Sequence, residues 1–157
     1  MASFASLIDA YLAGIDQVQQ SVAGMSREQL AARPVPGKWS TLEVVCHLVD
    51  SEQAWVHRMK RVIAEERPLL IGYDESRFSS ALGYQNRELE EELALLSGMR
   101  KQMAAILRAL PAAALNRGGI HSERGLITLE QMVTIEAEHV PHHVKFIHEK
   151  RRALGLR

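Results

Sequence analysis

The chain of 157 residues is long enough for one domain with a substantial core, and its 46% apolar and 24% charged residues are ordinary for a globular protein. Lys plus Arg and Asp plus Glu number 19 each, so the formal net charge is zero and lacks the basic excess typical of nucleic-acid-binding proteins. The single cysteine, Cys46, excludes an internal disulfide and suits a reducing compartment. We therefore expect one domain over residues 1–157 that binds no nucleic acid.

The sequence also argues against a membrane protein. It contains no run of the roughly 18 consecutive apolar residues that a transmembrane helix requires. Its first residues, Met-Ala-Ser-Phe-Ala-Ser, lack the basic and apolar regions of a signal peptide. We therefore expect a cytoplasmic protein without a membrane segment.

The first segment has the apolar spacing of a bundle helix, which predicts a helix over about residues 3–23. Its apolar side chains recur at alternating steps of four and three residues: Phe4, Ile8, Tyr11, Ile15, Val18 and Val22. Ser26, followed by Gln29 three residues later, fits a capping box for a short helical turn. The Pro-Val-Pro-Gly sequence of residues 34–37 then predicts a loop.

The second long helix is predicted from the capping box of Ser40 and Glu43 to about Glu65. His47 lies on the flank of its apolar stripe. The helical periodicity fades over residues 67–83, a connection longer than compact bundles usually need. It predicts a crossover between the second and third long helices.

The remaining chain predicts two further long helices. One covers about residues 85–109 and holds no histidine or cysteine, so we expect it to contribute packing rather than metal ligands. The loop of residues 116–125 contains His121, and a capping box at Thr128 opens the last helix, which runs through Ile147. No segment shows sustained strand alternation, so the fold class is all-α, a four-helix bundle with a long crossover.

A candidate metal site lies in the last helix. His139 and His143 are four residues apart, which places them on one helical face with their Cβ atoms about 5–6 Å apart. His47 is the candidate third ligand. Neutral imidazoles suit zinc, nickel, copper or iron(II), and three protein ligands leave a coordination position for water or substrate. Such a metal lowers the pKa of a bound water or thiol.

The spacing leaves alternatives open. Histidines on an apolar flank are often packed and hydrogen-bonded, and His142 shares the face of His139 as well as His143 does. Val140 occupies the glutamate position of the His-Glu-x-x-His motif, so a zincin-type protease is unsupported. Pro141 cannot donate a backbone hydrogen bond, which predicts a local kink.

Four polar residues near the apolar seams also allow both a functional and a structural interpretation. Glu136, one turn before the first histidine of the pair, is a candidate partner that orients this ligand, or a charge at the edge of the interface. Cys46 points away from its histidine neighbour, so a small buried core residue is favoured over a soft ligand. Glu52 and Arg100 could pair, touch substrate, or extend into solvent.

Four motifs follow one another across nearly the whole chain. They are Gly37-Lys-Trp-Ser-Thr-Leu-Glu-Val-Val-Cys-His47, Arg67-Pro-Leu-Leu-Ile-Gly-Tyr-Asp74, Gly125-Leu-Ile-Thr-Leu-Glu130 and His139-Val-Pro-His-His143-Val-Lys-Phe-Ile147. In this order they resemble the DinB/YfiT-like superfamily. The resemblance implies a four-helix bundle, a homodimer, and zinc or nickel bound by His47, His139 and His143.

The resemblance also implies activities. Members include metal-dependent transferases that use low-molecular-weight thiols such as bacillithiol or mycothiol, and thiol-dependent isomerases. We therefore predict a metal-dependent thiol S-transferase or hydrolase that acts on a small molecule, with Glu136 orienting a ligand. The alternatives are a non-catalytic metal- or ligand-binding bundle with a role in stress, and a metal-free dimeric scaffold in which the histidines are merely packed.

Overall fold

Six α-helices carry most of the chain in a computed structural model, which describes residues 4–156. They are α1 (Phe4–Val22), α2 (Arg27–Ala31), α3 (Thr41–Ala64), α4 (Glu75–Ala81), α5 (Leu89–Arg108) and α6 (Leu129–Ala153). Short 3₁₀ helices lie at Tyr84–Asn86 and Ala112–Asn116. The four long helices are those predicted from the apolar periodicity, although the predicted start at Ser3 lies outside the described residues.

Capping boxes set the beginnings of three helices, as the sequence predicts. Ser40 caps α3: its hydroxyl accepts the Glu43 N–H at 3.1 Å, and the Glu43 carboxylate accepts the Ser40 N–H at 2.7 Å. Ser26 and Thr128 cap α2 and α6 through the same reciprocal pattern. Because a box satisfies two otherwise unpaired N–H groups, it fixes the residue at which each helix starts.

Helix α5 begins at Leu89, four residues after the predicted start at Gln85. The Gln85 side chain instead donates to the Ala31 carbonyl and to the Ser40 hydroxyl. These bonds hold the 3₁₀ turn of residues 84–86 against the connection between α2 and α3. The apolar periodicity of the sequence does not show such a tertiary contact, so the start of the helix was predicted too early.

The long helices form a four-helix bundle whose buried apolar side chains make up two clusters. Helices α1 and α3 each pack against both α5 and α6, so α1 lies opposite α3 across the bundle. Apolar side chains that are at most 1% exposed fill the space between them: Ile8, Tyr11, Leu42, Met59, Met103, Leu107, Leu129 and Met132. Within the described residues, no helix is long and apolar enough to cross a membrane.

A small three-stranded sheet covers one end of the bundle, and the prediction of a chain without strands was wrong in this respect. Strand β1 (Leu69–Leu70) pairs in parallel with β2 (Gly118–His121), which pairs antiparallel with β3 (Gly125–Thr128). Strands of two to four residues are too short to show an alternating pattern. His121, which was predicted in a loop, is the last residue of β2. It is 3% exposed, and its ring stacks on the Trp55 ring with the two centroids 5.8 Å apart.

The connection between α3 and α5 is the long crossover that the sequence predicts. It contains β1, α4 and the 3₁₀ turn of residues 84–86. Two arginines of α3 hold its first part: Arg61 donates to the Leu69 carbonyl and Arg58 to the Ile71 carbonyl, each at 2.6 Å. The crossover therefore runs back along α3.

Close packing of the bundle depends on the absence of a side chain at Gly14 in α1. A Cβ atom at this position would overlap the Arg100 guanidinium of α5 and would lie 3.2 Å from the Val140 Cβ atom of α6. The guanidinium has no free space to move into, because it is fully buried and its Nη1 donates to the Tyr11 carbonyl at 2.6 Å.

Two glycine-to-alanine substitutions should therefore change stability in opposite directions. We expect Gly14→Ala to lower the free energy of unfolding by about 1–3 kcal/mol through overpacking. Gly98→Ala, in the interior of α5 with nothing within 4 Å of the added Cβ atom, should raise it by about 0.5–1 kcal/mol. Urea denaturation of both variants measures the difference, and stabilisation by both would show that this close approach of helices is not required.

Candidate metal centre

Three histidines from two neighbouring helices converge at one point in the bundle. His47 of α3 and His139 and His143 of α6 each offer one ring nitrogen, and these nitrogens lie within 4.8 Å of one another. The Nε2 atoms of His47 and His139 are 3.2 Å apart. Two ligands about 2.0–2.1 Å from a tetrahedral zinc ion are separated by about 3.3 Å, so this pair has the spacing of metal ligands.

The helices determine which histidines meet. The rings of His139 and His143 lie edge to face on one side of α6, with centroids 4.6 Å apart, and both contact the His47 ring across the α3–α6 interface. His142 is exposed and lies outside this cluster, so the alternative pairing of His139 with His142 is not the one that the fold assembles. Helix α6 continues through Pro141 to Ala153.

Burial keeps the three imidazoles neutral. It lowers the pKa of His139 and of His143 to about 3, and repulsion among the neighbouring imidazoles adds to the effect. Burial also lowers the pKa of His47, which is 1% exposed. A neutral imidazole has a free lone pair, which is the form that binds a metal.

The Nδ1 nitrogens of the three rings are also buried. The Nδ1 atoms of all three histidines have no hydrogen-bond partner among the described residues. An imidazole that binds a metal through Nε2 carries its proton on Nδ1. The donor set, three neutral imidazoles that each offer one nitrogen to a common point, therefore fits zinc, nickel or another first-row divalent ion.

Glu136 lies beside this cluster in the interior of the bundle. Its Oε1 is 3.9 Å from the His139 Nδ1 and its Oε2 is 3.8 Å from the Arg100 Nη2. The residue is fully buried, and burial together with repulsion from Glu52 raises the pKa of its carboxyl well above the usual value. Neither carboxyl oxygen has a hydrogen-bond partner among the described residues, and the nearest histidine nitrogen, the His139 Nδ1, also has none.

Arg100 and Glu52 form an ion pair in the centre of the bundle. The Arg100 Nε donates to the Glu52 Oε2 at 2.7 Å, and both side chains are fully buried. The Tyr11 hydroxyl donates to the other Glu52 oxygen. Of the alternatives for Glu52 and Arg100, pairing is therefore confirmed and extension into solvent is wrong. The role of Tyr11 could not be read from the sequence, where it is one residue of an apolar seam.

Cys46 is a core residue, as predicted. It is fully buried, and its thiol lies 3.6 Å from the Tyr84 carbonyl oxygen. Burial raises the pKa of this thiol to about 12, so it stays protonated near neutral pH. A protonated thiol is a poor metal ligand and a poor nucleophile.

A cavity of about 250 Å³ adjoins the cluster on the side of His143. Trp39, Phe146 and Lys150 contribute to its walls. The Trp39 ring lies 5.2 Å from the His47 ring, and the Phe146 ring 5.8 Å from the His143 ring. Sequence reasoning missed this cavity: a lysine in the last turn of a helix is expected from the helix dipole alone and gives no sign of burial.

Comparison with known proteins gives consistent matches. A profile of the DinB superfamily matches residues 10–147. A candidate metal-dependent hydrolase of Oceanobacillus iheyensis is 31% identical over 130 residues, which cover 83% of this chain and 75% of that protein. YfiT of Bacillus subtilis, also named as a candidate metal-dependent hydrolase, is 31% identical over 140 residues, which cover 88% of this chain and 79% of YfiT.

The solved structure of Bacillus subtilis YfiT has the same fold. It is described as a probable metal-dependent hydrolase with an unusual four-helix bundle topology. It matches this chain with a TM-score of 0.90 and 29% sequence identity, over 97% of this chain and 87% of YfiT.

Removing the cation of the central ion pair should strongly destabilise the protein. We expect Arg100→Met to lower the free energy of unfolding by about 3–5 kcal/mol, because it leaves the buried Glu52 carboxylate unpaired. Arg108→Met is the matched control, since Arg108 pairs with an Asp9 side chain that is 68% exposed, and such a surface pair contributes about 1 kcal/mol or less. Chemical denaturation measures both, and equal small losses would contradict the importance of the buried pair.

Proposed function

Because the chain belongs to the DinB superfamily, we propose that it is a metal-dependent hydrolase whose metal is held by His47, His139 and His143. The observation that carries the proposal is the convergence of three neutral, largely buried imidazoles on one point. Three protein ligands leave a coordination position for water or substrate, as in catalytic zinc sites. The names of the relatives support hydrolysis as the reaction class.

Zinc and nickel are the metals that we propose for this donor set, in keeping with the family resemblance. Both bind neutral imidazole nitrogen, and the site contains no thiolate, since the buried Cys46 thiol stays protonated. When bound, such an ion supplies a coordinated water whose pKa is lowered toward neutrality.

The surrounding residues hold the ligands in the required state. The Glu136 Oε1, 3.9 Å from the His139 Nδ1, would accept its proton after a small movement of either side chain, and a proton on Nδ1 leaves the Nε2 lone pair free for the metal. Arg100 holds this part of α6 in place, because its Nη2 donates to the Glu136 carbonyl at 3.0 Å. Trp39 covers the His47 ring and limits the access of bulk water from its side.

Three further expectations stay predictions. A thiol S-transferase would require an external low-molecular-weight thiol, since Cys46 is buried and protonated. The homodimer and the small-molecule substrate follow from the family resemblance.

Metal content tests the ligand assignment. We expect one equivalent of zinc or nickel per chain in wild-type protein after reconstitution, and its loss in His143→Ala because the site then retains two ligands. His142→Ala is the matched control and should keep the metal, since His142 is exposed outside the cluster. Glu136→Gln should weaken metal affinity by about 10–100-fold, as expected for a residue that orients a ligand.

Elemental analysis after dialysis measures the stoichiometry, and competition with a chromophoric chelator measures the affinity. Wild-type protein that takes up no metal, or His143→Ala that binds it as tightly as wild type, would contradict the site.

Hydrolysis itself is tested with the metal-loaded protein and a panel of p-nitrophenyl esters and anilides. We expect turnover that a chelator abolishes, that added metal restores, and that His143→Ala lacks. A parallel assay supplies bacillithiol with chlorodinitrobenzene. Metal-dependent consumption of thiol without hydrolysis would replace the proposal by the thiol S-transferase. Bound metal without turnover in either assay would favour the non-catalytic bundle.

A further inference from the structure

The cavity beside His143 has the composition of a binding pocket for a small molecule. It has a volume of about 250 Å³ and lies between the Gly37–Trp39 loop, the start of α3 and the last turns of α6. His143 forms part of its wall, so a molecule bound in the cavity would contact the candidate metal centre. Pockets for small molecules are concave and mainly apolar, with a few polar groups that fix the orientation of the ligand.

The apolar part of the wall comes from Trp39, Val44 and Phe146. Val44 is 2% exposed and belongs to the core, whereas Phe146 is 36% exposed and forms the outer wall. Two aromatic rings and an aliphatic side chain favour an apolar group of the ligand, such as a short alkyl chain or a ring.

Lys150 supplies the only strongly buried charge of this cavity among the described residues. It is 2% exposed, and its Nζ donates to the Phe146 carbonyl at 3.2 Å. An ammonium group has three N–H donors, so this bond leaves donors available. A cation in the last turn of a helix is favoured by the helix dipole, but that attraction does not require its burial.

The acidic residues around Lys150 do not neutralise it by direct contact. Among the described residues, no carboxylate oxygen lies within the 4 Å of a salt bridge to its Nζ. Glu43 and Glu149 act on it from farther away, and the Glu43 carboxylate already accepts hydrogen bonds from Arg33 and Ser40. Lys38, exposed at the edge of the cavity, adds a second positive charge. A buried cation without an anion is unfavourable, so an anionic ligand would complete the site.

We propose that this cavity binds a small molecule with an apolar body and one carboxylate, and that Lys150 pairs with the carboxylate. A carboxylate is preferred to a phosphate because Lys150 is the one buried ammonium, which matches one negative charge, whereas the charge of Lys38 is exposed to solvent. This binding site deepens the proposed hydrolase function: with the carboxylate on Lys150, the opposite end of the molecule reaches the metal centre.

The helix geometry sets the expected length of the ligand. The Lys150 Nζ reaches back to the carbonyl of Phe146, which lies three residues, or about 4.5 Å along the axis, beyond His143. The substrate carboxylate and the bond to be hydrolysed are therefore separated by roughly 5–8 Å, the span of a chain of roughly four to six bonds.

The binding site can be tested without metal and without a known substrate. The chain has two tryptophans, so Trp55→Phe leaves Trp39, in the cavity wall, as the only one. In this background we titrate metal-free protein with cyclohexanecarboxylate and with cyclohexanecarboxamide at constant ionic strength. The two probes have almost the same shape and differ in charge.

We expect a saturable change in Trp39 fluorescence and about ten-fold tighter binding of the carboxylate, because a hydrogen bond to an ionised group is stronger than one between neutral groups. Lys150→Met should remove this preference, and Lys150→Arg should retain part of it. Lys145→Met, an exposed lysine of the same helix, is the matched control and should behave as the Trp55→Phe parent.

Equal affinities for the two probes, or an unchanged preference in Lys150→Met, would overturn the proposal. Thermal unfolding of each variant shows whether it is folded. If Lys150→Met is not folded, the amide chemical shifts of wild-type protein are measured with each probe instead. Changes at Phe146 and Lys150 that only the carboxylate causes would support the pairing, and the absence of such changes would refute it.

The experiment distinguishes failure of this binding site from failure of the proposed hydrolase function. A carboxylate preference in a protein whose metal-loaded form hydrolyses nothing would leave the binding site standing and remove the proposed reaction. Metal-dependent hydrolysis without a carboxylate preference would support the proposed reaction and remove the carboxylate-binding site.

Discussion

The guanidinium of Arg100 connects all four long helices of the bundle. From α5 it donates to the Glu52 carboxylate of α3, to the Tyr11 carbonyl of α1 and to the Glu136 carbonyl of α6. A fully buried cation is tolerated only when its charge is matched and its N–H groups are bonded, and here each of the other three long helices contributes an acceptor. The relative positions of the helices are therefore constrained at one point, which Gly14 makes accessible by having no side chain.

The same network bears on the candidate metal centre through Glu136. Its carbonyl and its carboxyl group both lie near Arg100, and its other carboxyl oxygen faces His139. Two buried carboxyl groups, those of Glu52 and Glu136, surround one buried arginine beside three neutral imidazoles. Burial and the nearby Glu52 raise the pKa of the Glu136 carboxyl, so its ionised form needs additional positive charge close by. A divalent ion at the histidines would supply such a charge.

Local patterns made most of the fold predictable from the sequence. Capping boxes and a period of 3.6 residues act within one helix, so they located the four long helices, and the four-residue spacing of His139 and His143 fixed their common face. The short strands escaped prediction because two to four residues carry too little periodicity, and His121 was placed in a loop for the same reason. The burial of Arg100 and Lys150 depends on side chains distant in sequence, which no local pattern encodes.

The candidate metal centre and the adjoining cavity are built from different parts of the fold. The three histidines lie at the interface of α3 and α6, and the central ion pair of Arg100 with Glu52 joins α3 to α5 in the same bundle. The positions of the three candidate ligands therefore depend on how the long helices pack. The cavity walls come instead from the loop before α3 and from the last turns of α6. Lys38 and Lys150 in these walls take no part in the Arg100 network, so they can change without disturbing the central ion pair. Under the proposed function, substrate choice is therefore expected to depend on Lys150, which lines the cavity beside His143 but lies outside the Arg100 network.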